Sequence, residues 1–191
     1  MRFFKITSSL FTGLCLMFFA AITPAQAEFF IGADATTLGA ELQFTEGSFL
    51  YNLAPYRAKL GYRGETLGFE IHALSNQDKT IGTYVGSDYN FKIENNVGAY
   101  IHLREKWVYA RLGGTWLQTT FTHVPTNTSD SDTVFLLTGA LGVELRLGKH
   151  LFFNLDYTYS EGKGHYPNLV GGTSKPTITM QGFGAGVNLA F

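Results

Sequence analysis

The sequence predicts an all-β chain: an eight-stranded antiparallel up-and-down transmembrane β-barrel, preceded by a cleavable signal peptide. Three observations carry this. The chain opens with an export signal. Beyond residue 27, apolar and polar side chains alternate with a period of two. The connections between these runs are short at one end of the strands and long at the other.

Arg2 and Lys5 form a basic start, and Leu10 to Ile22 is apolar. That stretch falls short of the ~17–25 residues a spanning helix needs. Ala25-Gln26-Ala27 is a small-x-small cleavage site, so residues 1–27 read as signal peptide and 28–191 as the barrel domain, with cleavage between Ala27 and Glu28. Leu14 stands before Cys15 where a lipoprotein signal requires a small residue. Cleavage removes two bases and no acid, leaving 12 Lys and Arg against 15 Asp and Glu, a net charge of −3. Nucleic acid is therefore not an expected partner. Cys15 leaves with the signal, which excludes disulfides and thiolate chemistry from the mature chain.

The first run, about Phe29 to Phe44, changes parity: Ile31, Ala33 and Ala35 share one face, and Leu38, Ala40, Leu42 and Phe44 the other. A bulge near Thr36–Gly39 would reconcile them, unless one half lies outside the apolar zone. Pro55–Arg63 sets Tyr56, Ala58, Leu60 and Tyr62 against Arg57, Lys59 and Arg63, and Thr66–Ser75 sets Leu67, Phe69, Ile71 and Ala73 against Glu70 and His72. Phe91–Leu103 sets Phe91, Ile93, Val97 and Ile101 against Lys92, Glu94 and His102. Trp107–Gln118 sets Val108, Leu112 and Trp116 against Tyr109 and Arg111. Thr133–Leu147 sets Leu137, Leu141 and Leu145 against Glu144 and Arg146, and Leu151–Tyr159 sets Phe153, Leu155 and Tyr157 against Asn154 and Asp156. The last run, Thr177–Phe191, sets Phe183, Ala185, Val187 and Leu189 against glycines and Asn188.

Residues 64–65, 104–106 and 148–150 are short turns. Thr45–Ala54, Asn76–Asn90, Thr119–Asp132 and Ser160–Pro176 read as long polar loops. That is the layout of an outer-membrane barrel with periplasmic turns and extracellular loops. A soluble up-and-down barrel or a sandwich would show the charged face and hide the apolar one. The polar face suits neither a dry core nor a solvated surface, because large charges are spaced among Gly, Ala and Thr. Aromatics (Tyr56, Tyr62, Trp107, Trp116, Phe121, Tyr157, Tyr159, Phe191) end the apolar runs, as interfacial girdles require.

The stretches EFFIGAD, KWVYARLGGTW, LLTGALGVELRLG, LFFNLDYTYS and GFGAGVNLAF, with the terminal Phe191, resemble the small eight-stranded outer-membrane β-barrel family (porin-family or OmpA-like) without its periplasmic peptidoglycan-binding domain. The resemblance covers residues 28–191. It implies that Phe191 is the address read by the barrel-assembly machinery, that the outer membrane of a Gram-negative bacterium is the location, and that outer-membrane lipids and lipopolysaccharide are the surroundings. It implies no cofactor, and a monomer is expected.

Strand parity sends Glu41, Arg57, Lys59, Arg63, Glu70, His72, Lys92, Glu94, His102, Arg111, Glu144, Arg146 and Asp156 into the lumen. An eight-stranded barrel is barely wide enough for its own side chains, so these charges must pair. The expected result is a salt-bridged plug, the alternative a narrow ion path. Barrels of this size also include lipid A-modifying enzymes with His and Ser two residues apart. Here His72 and Ser75 are three apart and fall on opposite faces, so no catalytic site is expected. His123, His150 and His165 lack metal-ligand spacing. Tyr51, Tyr84 and Tyr166 are the loop aromatics available for surface contacts. The reading is an integral outer-membrane protein with a structural or surface-interaction role, ahead of a small ion channel and of a lipid A-modifying enzyme.

Overall fold

The computed structural model describes residues 28–44, 47–75, 77–84, 87–166 and 175–191; the segment read as signal peptide lies outside them. Ten strand segments occur among these residues: β1 (Glu28–Phe44), β2 (Gly47–Leu53), β3 (Tyr56–Arg63), β4 (Leu67–Leu74), β5 (Gln77–Tyr84), β6 (Ser87–Glu105), β7 (Val108–His123), β8 (Thr128–Arg146), β9 (Leu151–Lys163) and β10 (Thr177–Ala190). All pairings are antiparallel, and β1 pairs with β10 to close the ring. β2 and β3 both pair with β1, while β4 and β5 both pair with β6. The ten segments therefore form eight staves.

The second stave breaks at Ala54–Pro55, where proline cannot donate to a ladder. Thr36 covers the break: its N–H and its hydroxyl both bond to the Pro55 carbonyl, at 3.0 and 2.8 Å. The β3–β4 seam ends where Ser75 N–H bonds to the Tyr56 carbonyl at 2.8 Å. Above it, no ladder joins β2 to β5 among the described residues. Unpaired backbone groups are too costly to leave in hydrocarbon. The lipid tails must therefore end at or below the level of Tyr56 and Ser75.

Most of the stretches that read as long loops are strand. Thr45–Ala54 carries β2, Asn76–Asn90 carries β5 and the start of β6, and Thr119–Asp132 is a continuous β7–β8 hairpin closed by a turn at 124–127. In these upper halves the facing rule inverts. Ala40, Leu42, Phe49, Tyr51, Leu53, Tyr89, Phe91, Ile93, Leu117, Phe121, Val134, Leu136, Ile178 and Met180 pack in the interior. Outside them Thr37, Gln43, Ser48, Asn52, Thr120, Ser129, Ser131 and Thr133 face out. In the lower halves Ile31, Leu60, Ile71, Ile101, Leu112, Leu141, Leu155 and Val187 lie exposed on the outside, and the charges lie within. On β8 the outward apolar stretch runs from Phe135 to Leu145, close to the ~9–11 residues of a tilted spanning strand. Paired aromatic rings border the belt: Phe29–Tyr62 at 5.5 Å below, Trp116–Phe135 at 5.2 Å and Tyr157–Phe183 at 5.1 Å above. Phe191 belongs to the lower border, with its N–H bonded to the Phe29 carbonyl at 2.9 Å.

This inversion accounts for the parity change in β1. The β1–β10 register runs unbroken from Phe30↔Ala190 to Gln43↔Thr177, with no bulge. Ile31, Ala33 and Ala35 face lipid, while Ala40 and Leu42 fill the upper interior. Glu41 therefore faces out, not into the lumen. In β6 the apolar parity is constant, but the register slips between Ile93 and Asn95. That bulge turns Phe91 and Ile93 inward, 1% and 3% exposed, and Lys92 and Glu94 outward, where they meet at 3.4 Å. Phe121 faces the interior rather than a girdle.

Candidate functional site

The lower lumen is filled by ions that neighbouring strands bring face to face. Arg57 is the cross-strand partner of Asp34, and its Nε donates to Asp34 Oδ2 at 2.8 Å, with Nη2 contacting the same oxygen. Lys59 Nζ lies 2.6 Å from Asp34 Oδ1 and 3.0 Å from Asn154 Oδ1. Asp156 is the hub. It accepts from Arg57 Nη2 at 2.9 Å, from Tyr109 OH at 2.9 Å and from Thr158 at 3.0 Å, and Arg111 Nη2 lies 2.8 Å away. Arg111 Nη1 reaches Glu70 at 2.9 Å, and His72 Nε2 is 3.2 Å from the same carboxylate. Gly184 stands beside Asp156 in the ladder, and a Cβ there would lie 2.9 Å from Arg57 Nη2. A side chain there would press on the Arg57–Asp156 pair.

Nearer the turns, Arg63 bonds to Glu144 through both terminal nitrogens, and Arg104 and Asn188 each reach Glu144 at 3.4 Å. The Arg63 guanidinium stacks 3.7 Å over Phe152. His102 is buried against the edge of Tyr109. Arg146 sits at the rim, half exposed, 3.7 Å from Glu28 and bonded to the Gly148 and Lys149 carbonyls. The buried charges among the described residues are four acids (Asp34, Glu70, Glu144, Asp156) and four bases (Arg57, Lys59, Arg63, Arg111). Opposite charges in a dry interior attract strongly, but only a paired set repays the cost of leaving water. The arrangement ties β1, β3, β4, β7, β8 and β9 together across the lumen.

Asp34 and Tyr109 join the network although neither is among the lumen charges that parity picks out; both share the lumen parity of their strands. Arg104, a turn residue by sequence, also takes part. Glu41, Lys92 and Glu94 do not join it. His72 faces inward against Glu70, while Ser75 Oγ accepts from Tyr56 N–H at 3.0 Å at the end of the seam. These two do not form a nucleophile–base pair. Among the described residues no group of three or more His, Asp or Glu is set to hold a metal.

A lumen of paired buried charges inside a lipid-facing belt is what an outer-membrane barrel of this size requires, and the model of the outer membrane protein β-barrel domain matches residues 11–191. The chain belongs to that family. Its place is the bacterial outer membrane. Similar solved barrels include Neisserial surface protein A (17% identity, 85% of this chain and 97% of that one, TM-score 0.53). Ail, the attachment invasion locus protein of Yersinia pestis, is alike at 17% identity, 86% and 99% coverage and TM-score 0.52. AlkL, solved by solid-state NMR in lipid bilayers, has 13% identity, 87% and 90% coverage and TM-score 0.54. At such identities the likeness bears on the fold. No curated protein matches the sequence significantly.

The outer end of this family member is also packed with its own side chains. Tyr51 and Tyr166, loop contacts by sequence, are 2% and 0% exposed; the Tyr84 side chain lies outside the described residues. Tyr166 drops from the β9–β10 connection into the barrel mouth, with its ring edge-on to Phe121 at 4.9 Å and its hydroxyl 2.6 Å from Thr119 Oγ1. Burial holds that hydroxyl above the ordinary tyrosine range. His165 N–H bonds to Asp132 at 2.6 Å and Gly164 N–H to the Pro176 carbonyl at 3.0 Å, which strap the connection down. Tyr166→Phe should cost about 0.5–1.5 kcal/mol, one buried hydrogen bond, read as a lower urea midpoint with the heat-dependent gel shift retained.

Proposed function

We propose that the protein is a closed outer-membrane anchor that carries a rigid, hydroxyl-rich extension for surface interaction. The observation that carries this reading is the inversion. Above the lipid belt the staves do not fray into loops but continue as strands, with an apolar core and a polar exterior, although no ladder joins β2 to β5 among the described residues. Such a shape holds its outer face in one conformation, which lowers the ordering cost of binding. Thr120–Ser131 and Thr122–Ser129, each pair 2.8 Å apart, make that face a regular array of hydroxyls. Ail is by name an attachment protein, and it has also been solved with a heparin analogue. Those facts belong to Ail, but they favour testing glycans first.

On this reading the chain is exported, cut between Ala27 and Glu28, delivered by the barrel-assembly machinery through Phe191, and works as a monomer among lipopolysaccharide without catalysing a reaction. The test has two arms. Purified folded protein in planar bilayers should stay silent, and cells displaying the full chain should bind a glycan array with a signal lost on Thr120→Ala/Thr122→Ala. Reproducible salt-dependent steps, or equal glycan binding by both forms, would contradict the proposal.

A further inference from the structure

A cavity of about 30 Å3 lies between the ion network and the aromatic core, bordered by residues of β1, β3, β4, β6, β7, β8, β9 and β10. Its wall carries a chain of hydroxyls. Tyr100 OH lies 2.6 Å from Thr115 Oγ1, Thr115 lies 3.0 Å from Thr138, and Thr138 donates to Ser160 at 2.9 Å. A hydroxyl has one proton to give. Thr138 gives its proton to Ser160, so Thr115 must donate to Thr138, and Tyr100 to Thr115. The Ser160 proton is left without an acceptor among the described residues. At the other end Asn96, on the same strand as Tyr100 and 4% exposed, has an Oδ1 that accepts no hydrogen bond among the described residues. Ser160 and Asn96 both border the cavity.

We propose that this cavity is a built hydration site holding two ordered waters, which accept from Ser160 and donate to Asn96 Oδ1. They carry the hydroxyl chain on from Ser160 of β9 to Asn96 of β6. The volume suits two molecules at ~10–15 Å3 each. The chemistry selects water over other small ligands. An anion cannot donate to Asn96 Oδ1. A cation would sit against the Arg57 guanidinium in a lumen whose buried charges already balance, four against four. An alkyl group would leave both polar atoms unmet.

The test compares the full protein, extracted from outer membranes, with Asn96→Leu and Ser160→Ala. Long-lived internal waters are counted by oxygen-17 relaxation dispersion, and stability is read as the urea midpoint. The expected result is a loss of one or two long-lived waters in each variant, with a lower midpoint. An unchanged water count in both variants overturns the proposal. A dry cavity would show further as a raised midpoint for Asn96→Leu, because that change deletes an unsatisfied acceptor. If Asn96→Leu loses the heat-dependent gel shift, Ser160→Ala, which removes one oxygen, decides by its water count alone.

Discussion

Asp156→Ala is expected to lower the unfolding free energy of the barrel by about 3–5 kcal/mol, the cost of breaking a buried ion set from one side. Asp156 is bonded to Arg57, Arg111, Tyr109 and Thr158, and its side chain is wholly buried. Its removal leaves three buried acids against four bases among the described residues. Arg57 keeps Asp34 and Arg111 keeps Glu70, so the variant should still fold, at a lower urea midpoint. Asp156→Asn retains volume and an acceptor and should lose less. The size of the loss also reports on the lumen. A wet path would let water solvate the two guanidiniums and reduce the effect to the ~0–1 kcal/mol of an exposed pair. Urea titration of both variants in one lipid therefore separates a plug from a pore.

The second large effect is positional. Leu112 and Thr120 lie on β7, both on its outer face. Leu112→Arg should cost about 2–4 kcal/mol, the value for a base on the lipid face near the midplane. Thr120→Arg should change stability by no more than about 0.5 kcal/mol, as a solvated surface substitution does. A barrel wrapped in lipid to its tips would make the two costs alike. A soluble barrel would make Leu112→Arg as mild as Thr120→Arg.

The lower half of the barrel is legible in the sequence because its physics is one-dimensional. Period-two alternation with a lumen too narrow for unpaired charge places Arg57, Lys59, Glu70, Arg111 and Asp156 without further information. The upper half is not legible by the same rule, because its rule is the opposite one. Polar outside and apolar inside is the signature of a solvated strand, and a stretch such as TEGSFLYNLA resembles a polar loop with stray aromatics. Leu42, Phe49 and Tyr51 are core residues whose partners come from distant strands, and period alone does not say which face is dry. β1 carries the signal openly: its apolar parity changes without a bulge, at the height where lipid gives way to water. β6 conceals it, since the bulge between Ile93 and Asn95 flips the chain while the apolar spacing stays constant. Parity misplaces Lys92 and Glu94 for that reason. Tyr166 escapes a sequence reading because it comes from a connection, and only the position of Thr119 and Phe121 beneath it shows that it closes the mouth.

The wall of the barrel changes its facing rule at the membrane surface. A nitroxide scan along β7 in reconstituted vesicles tests it most directly, with molecular oxygen and a water-soluble nickel chelate as relaxing agents. Labels at Val108, Ala110, Leu112, Gly114 and Trp116 should respond to oxygen, and labels at Gln118, Thr120 and Thr122 to nickel. Labels at Leu117 and Phe121 should respond weakly to both. Oxygen-dominated relaxation continuing through Gln118, Thr120 and Thr122, or free nickel access at Leu117 and Phe121, would contradict the account.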